Sequence, residues 1–206
     1  MSSDQWTAFF FALILLISVV LHELAHGVAA YLFGDTTAKR AGRLTLNPIK
    51  HIDPVWTILV PLLLYISTHG RFAIGMAKPV PVNFSMLRFR RIGMMVVSFA
   101  GPLANLILAV IFSQIWKTDG REFFLFAVYL NLGLAVFNLI PIPPLDGSRV
   151  AAALLLPWNL AVKIFRFETW GYLIILLLYF SGVLMKVLVP GVSRLAQCLN
   201  VPAIQL

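Results

Sequence analysis

Residues 6–34 read WTAFFFALILLISVVLHELAHGVAAYLFG. The stretch is apolar for long enough to cross a hydrocarbon core of about 30 Å as a helix. Its later half then interrupts the apolar run with His22, Glu23 and His26. On insertion scales an ionisable group at the centre of a membrane helix costs about 2.5–3.5 kcal/mol, so three within two turns need a compensating partner. Residues four apart share a helix face, so both imidazoles can point at one metal ion. A bound cation is the compensation. Zinc lowers the pKa of the water it binds to near 7, and Glu23 is placed to take that proton.

The rest of the chain has the composition this reading needs. Of 206 residues, 60% are hydrophobic and only 12% charged. A soluble fold has no interior large enough for that share, so the bilayer is the natural solvent. The net charge of +8 does not point to nucleic acid. Lys39, Arg40, Arg43 and Lys50 follow the first apolar run, and Lys78, Arg88, Arg90 and Arg91 precede the third. Basic clusters between apolar runs are the mark of cytoplasmic loops. Cys198 is the only cysteine, which excludes an internal disulfide and a cysteine metal cluster. The first run is too long for a signal-peptide core and has no basic region before it.

Four further runs follow. Residues 54–67 form a short one with Pro61 in its middle, the length of a re-entrant segment. Residues 75–83, GMAKPVPVN, are punctuated by Pro79 and Pro81 and favour extended backbone, a loop or strand lying against the protein. Runs at residues 92–116, 123–140 and 170–189 are expected to span. The mixed tail at 191–206 is expected to lie on the membrane surface. The expectation is an all-α polytopic membrane protein. It has about four to five transmembrane helices plus a re-entrant or extended segment. It forms one domain over residues 1–206, with a core at 6–153, an additional helix at 170–189 and the tail.

Catalytic zinc usually has three protein ligands and a water. His51 lies in a basic loop and His69 beside Gly70, both poor third ligands. Asp146 is better. It follows an apolar helix within Pro143-Pro144-Leu145-Asp146-Gly147, where prolines and glycine fix the backbone. The bland alternative is an aspartate capping the next helix. Asn138, shortly before it, reads equally well as a contact to the scissile carbonyl or as an interhelical hydrogen bond. Asn105 reads better as a bridge between helices, and Asn131 as packing.

His22-Glu23-Leu24-Ala25-His26, taken with Asn138-Leu-Ile-Pro141-Ile-Pro143-Pro-Leu145-Asp146-Gly147, resembles the site-2 protease family of intramembrane metalloproteases. Gly101-Pro102 with Asn105 is similar to that family's middle helix, and residues 43–53 and 78–83 to its minimal bacterial branch without PDZ or CBS domains. The resemblance implies His22, His26 and Asp146 as ligands of one zinc ion, and Glu23 as catalytic acid/base. It also implies Asn138 as a substrate or transition-state contact. The expected function is hydrolysis of transmembrane segments of other membrane proteins, in the regulated manner of that family. The expected location is the cytoplasmic membrane, with the active site near the cytoplasmic face. The rival class is a membrane metal carrier or an inactive relative that only holds membrane partners. A carrier needs ligands along a path but no base beside them, and runs three and five offer few polar groups.

Overall fold

A computed structural model describes residues 3–67, 69 and 77–202, and among these the regular structure is helical. Helix α1, Ser3–Leu32, is the long first run. A short α2, Thr37–Arg40, follows it. Then come a π-helical turn at Pro54–Leu59 and α3, Val60–Ser67. Helix α4, Arg91–Asp119, and α5, Glu122–Asn138, form a hairpin closed at Gly120. The chain ends in α6, Asp146–Leu155, α7, Trp158–Ala161, α8, Glu168–Phe180, and α9, Val183–Cys198.

This is an all-α membrane protein. Helix α1, over Phe9–Leu32, and α4 are each long and apolar enough to cross a bilayer. Large apolar side chains such as Phe9, Leu13, Ile17, Ile107, Val110 and Ile111 face outward along them, which water would penalise and lipid does not. The 17-residue α5 is slightly shorter, and the helices at Trp158–Phe180 and Val183–Cys198 pass together as one bent pair.

Helix α4 is the hub, packed on α1, α5 and α6. Its directions follow from its contacts. His22 and His26 of α1 meet Asn105 and Val97 of α4, so numbers rise on one helix as they fall on the other and the two are antiparallel. Asn105 pairs with Asn131 and Phe112 with Phe124, so α4 and α5 are antiparallel as well. Phe10 stacks on Phe123, Phe11 on Phe126, and Ser18 meets Asn131, so α1 and α5 run in parallel. The end of α1 and the start of α4 therefore lie together, and the Arg88 N–H donates to Phe33 O at 2.7 Å.

One expectation needs correction. The run at residues 170–189 is not one straight helix. It breaks at Ser181-Gly182, where Gly182 adopts φ +74°, a backbone that a glycine takes without the steric cost of a side chain. The two helical stretches meet at 82°. The described part of the tail packs on the bundle. Helix α9 continues through Pro190, and Val192, Ala196 and Val201 join Ala109, Val128 and Leu132 in a buried cluster. The small residues let α9 lie close to α5. Of the stretch 75–83, residues 77–83 carry no helical turn, as expected, and residues 75–76 lie outside the described ones.

Candidate metal centre

Three elements deliver the site. Helix α1 brings His22 and His26 on one face, one turn apart. After α5, Pro141, Pro143 and Pro144 withhold the N–H groups a helix needs. The chain turns through Leu145, and α6 opens with Asp146 in its first turn. Its side chain does not cap that helix, whose cap position is Leu145. Instead Asp146 Oδ2 lies 3.3 Å from His22 Nε2 and 3.2 Å from His26 Nε2, while the two Nε2 atoms are 3.1 Å apart. All three side chains are buried.

The tautomers follow from the outer nitrogens. Nδ1 of His26 lies 2.7 Å from the Val97 carbonyl, which can only accept, so that nitrogen carries the proton. Nδ1 of His22 lies 2.6 Å from Asn105 Oδ1, which likewise accepts. Asn105 is held in turn. Its Nδ2 donates to Asn131 Oδ1 at 2.9 Å, and Asn131 Nδ2 donates to Ser18 Oγ at 2.9 Å. Asn105 thus bridges helices as expected and also orients an imidazole. Asn131, expected as packing, is a hydrogen-bonding member of the chain, because its amide is fully buried and must find partners.

With both Nδ1 atoms protonated, two imidazole lone pairs and a carboxylate oxygen converge with no hydrogen between them. Three such acceptors in a buried site repel unless a cation lies among them. Their spacing fits zinc. A tetrahedral ion with bonds of about 2.0–2.1 Å holds its ligand atoms about 3.3 Å apart. Gly101 lines the remaining side. A Cβ there would fall 2.3 Å from His26 Nε2 and 2.7 Å from His22 Nε2, so any side chain would enter the space these nitrogens share.

A cavity of about 1000 Å³ opens over this centre, bordered by Glu23, Asn138, Arg149 and the non-helical segment 77–83. Glu23 Oε2 accepts from the Val80 N–H at 2.8 Å. Asn138 Nδ2 donates to Leu134 O of its own helix at 2.9 Å. Arg149 Nη1 approaches Asp146 Oδ1 at 3.7 Å, and its Nη2 pairs with Glu168 at 2.8 Å. His51 is buried elsewhere, its Nε2 on Thr45 O at 2.9 Å, and takes no part in the cluster. The Val97 carbonyl, the Val80 amide and Arg149 escape sequence reading. The two backbone groups leave no trace in residue type, and Arg149 stands one turn after Asp146 as a surface arginine would.

The sequence pattern of peptidase family M50 matches residues 113–182. YwhC of Bacillus subtilis (strain 168), named as a candidate zinc metalloprotease, is 40% identical over 190 residues, covering 85% of this chain and 82% of its own. The chain belongs to peptidase family M50, the site-2 proteases. Rip2 of Mycolicibacterium smegmatis, also named as a candidate zinc metalloprotease, is 33% identical over 178 residues, 83% of this chain and 66% of Rip2. The zinc metalloprotease MJ0392 of Methanocaldococcus jannaschii is 31% identical over 154 residues, 75% of this chain and 36% of its own length. No solved structure matches significantly. This M50 peptidase is a membrane zinc metalloendopeptidase that takes one zinc ion.

Proposed function

We propose that the enzyme cuts transmembrane segments of other membrane proteins. The observation that carries this reading is the place of the three converging side chains. They sit within an apolar helix bundle, at the later half of a helix that is long and apolar enough to span, below a cavity rather than on a water-facing surface. His22, His26 and Asp146 hold the zinc. When bound, zinc supplies an activated water and polarises the scissile carbonyl. Glu23 takes the water's proton on its carboxylate and passes it to the leaving amine.

A transmembrane helix ties up its own carbonyls, so the substrate must unwind before it can be cut. Residues 77–83 border the cavity without a helical turn, and the unwound substrate strand lies along them. Asn138 lines the same cavity and contacts the substrate carbonyl by rotating its amide away from Leu134. Against the carrier reading, the one cluster of His, Cys, Asp or Glu that could hold a metal among the described residues has Glu23 beside it as a base, which a carrier does not need. The cytoplasmic membrane, with the site near the cytoplasmic face, fits the basic residues gathered at the end of α1 and the start of α4.

The test is co-expression with a panel of single-span membrane proteins, comparing the native chain with Glu23→Gln. Fragments ending inside the membrane segment, made by the native chain alone, are expected. Cuts only in water-exposed loops would overturn the intramembrane reading.

A further inference from the structure

The segment bordering the cavity is pinned from behind by groups that play no part in metal binding. Lys78 N–H donates to His51 O at 2.9 Å. Asn83 N–H donates to Asp35 Oδ2 at 2.6 Å. Arg43 Nη2 donates to Lys78 O at 2.6 Å and to Pro79 O at 3.3 Å. Between these anchors, the Val80 N–H is the donor on Glu23. Pro79 and Pro81 flank it and have no N–H of their own, so Val80 is the only amide among residues 79–81 that can donate.

We infer that Arg43 is a positioning residue for Glu23: its guanidinium fixes the carbonyls of Lys78 and Pro79 and thereby holds the Val80 N–H on the carboxylate. The reading rests on Glu23 as the base. Three observations carry it. Arg43 is 8% exposed, a rare state for an arginine and one that needs partners to offset the lost hydration. It has no carboxylate among its hydrogen-bond partners, both of which are main-chain oxygens one and two residues before Val80. Val80 itself is buried, and its side chain lies where a Cβ on Gly27 of α1 would be 2.9 Å away, so the segment sits tightly against the helix that carries Glu23. A carboxylate held by one fixed donor keeps one orientation, and an oriented base is worth more than a mobile one. Both bonds leave the one nitrogen Nη2, so a lysine ammonium, with three donors, can restore part of the contact but not the planar, fixed geometry.

The experiment uses the full chain with zinc in detergent or lipid. Its first readout is amide exchange in peptides covering residues 77–83, in which Lys78, Val80, Val82 and Asn83 carry the amides that follow the first residue. Arg43→Gln should raise exchange there at least tenfold while α1 and α4 keep native protection and zinc stays bound. Its second readout is a kinetic cycle with Val80→Pro, which removes the amide and keeps extended backbone. Each single variant should lower kcat at least tenfold. The double variant should fall within about twofold of the worse single one, and Arg43→Lys should recover part of the loss. Native kcat in Arg43→Gln, a loss confined to KM, a loss of zinc, or multiplicative losses in the double variant would each overturn the proposal. Should Arg43→Gln not accumulate as folded protein, native kcat in Val80→Pro overturns it alone. Glu23→Gln, assayed beside them, separates the two readings, because activity there would remove the base itself and leave the exchange result standing.

Discussion

Nδ1 of His22 lies 2.6 Å from Oδ1 of Asn105, a residue 83 positions later on the neighbouring helix. The bond fixes the imidazole tautomer and leaves Nε2 free to face His26 and Asp146. Hydrogen bonds between membrane helices add only about 0.6 kcal/mol each on average, so packing alone is a weak reason to bury two asparagines and a serine together. Orientation of a metal ligand is a stronger one.

Asn105→Leu should therefore weaken zinc binding about 10–100-fold, the usual cost of losing a group that orients a ligand, while the protein still folds. A competition titration with a chelator of known affinity measures it. Unchanged affinity would return Asn105 to bridging helices. Asn131→Leu should show a smaller loss in the same direction, since it acts on His22 only through Asn105.

Gly101→Ala separates folding from metal binding. Alanine favours a helix interior by about 1 kcal/mol over glycine, so helix propensity alone predicts a more stable protein. The added methyl, however, would lie 2.3 Å from His26 Nε2. The imidazoles must move, and zinc affinity should fall by at least about 10–100-fold even as the helix itself gains. Thermal unfolding with and without zinc checks both halves. A variant that is stabilised as much by zinc as the native chain would show that the ligands have room.

Which parts of this arrangement were legible beforehand follows from what leaves a mark in residue type. The three converging side chains stood out because ionisable residues interrupt apolar runs, and a helix forces the i, i+4 spacing on its own. That residues 77–83 carry no helical turn was legible from Pro79 and Pro81. The parts that hold the site in place were not. Val97 O and Val80 N–H belong to ordinary apolar residues, and Asn105 looks the same in sequence whether it bridges two helices or orients an imidazole. The break at Gly182 went unread because a single glycine is also tolerated inside a membrane helix.

Asp146→Ala, His22→Ala and His26→Ala should each lower zinc occupancy, measured by metal analysis of purified protein. Glu23→Gln should retain zinc and lose cleavage, because an amide cannot accept the water's proton. Asn138→Ala should retain zinc and lose about 10²–10³-fold in turnover, the range for one oxyanion donor. Its amide already has a partner in Leu134 O, so unchanged turnover would mean that it never leaves its own helix.

Topology gives the last prediction. Helices α1 and α4 are antiparallel, and Arg88 N–H bonds to Phe33 O, so the chain leaves α1 and begins α4 on one side. Whatever residues 35–90 do between those points, they return to the side they left, and a single full crossing by the 54–67 run does not allow that. The π-helical turn and α3 together are 6 and 8 residues, short for a span and suited to a re-entrant segment. The basic residues Lys39, Arg40, Arg88, Arg90 and Arg91 then share one face, which the positive-inside rule makes cytoplasmic. The link between α4 and α5 lies opposite, with Lys117 and Arg121 balanced by Asp119 and Glu122. Cys198 is exposed and must be replaced first. Single cysteines at the exposed positions Arg40, Ser85 and Thr118 can then be probed in intact cells with an impermeant thiol reagent. Only the Thr118 position should react. Reaction at Ser85 but not at Arg40 would put the two ends of the 35–90 segment on opposite sides, which the contact between Phe33 and Arg88 does not permit.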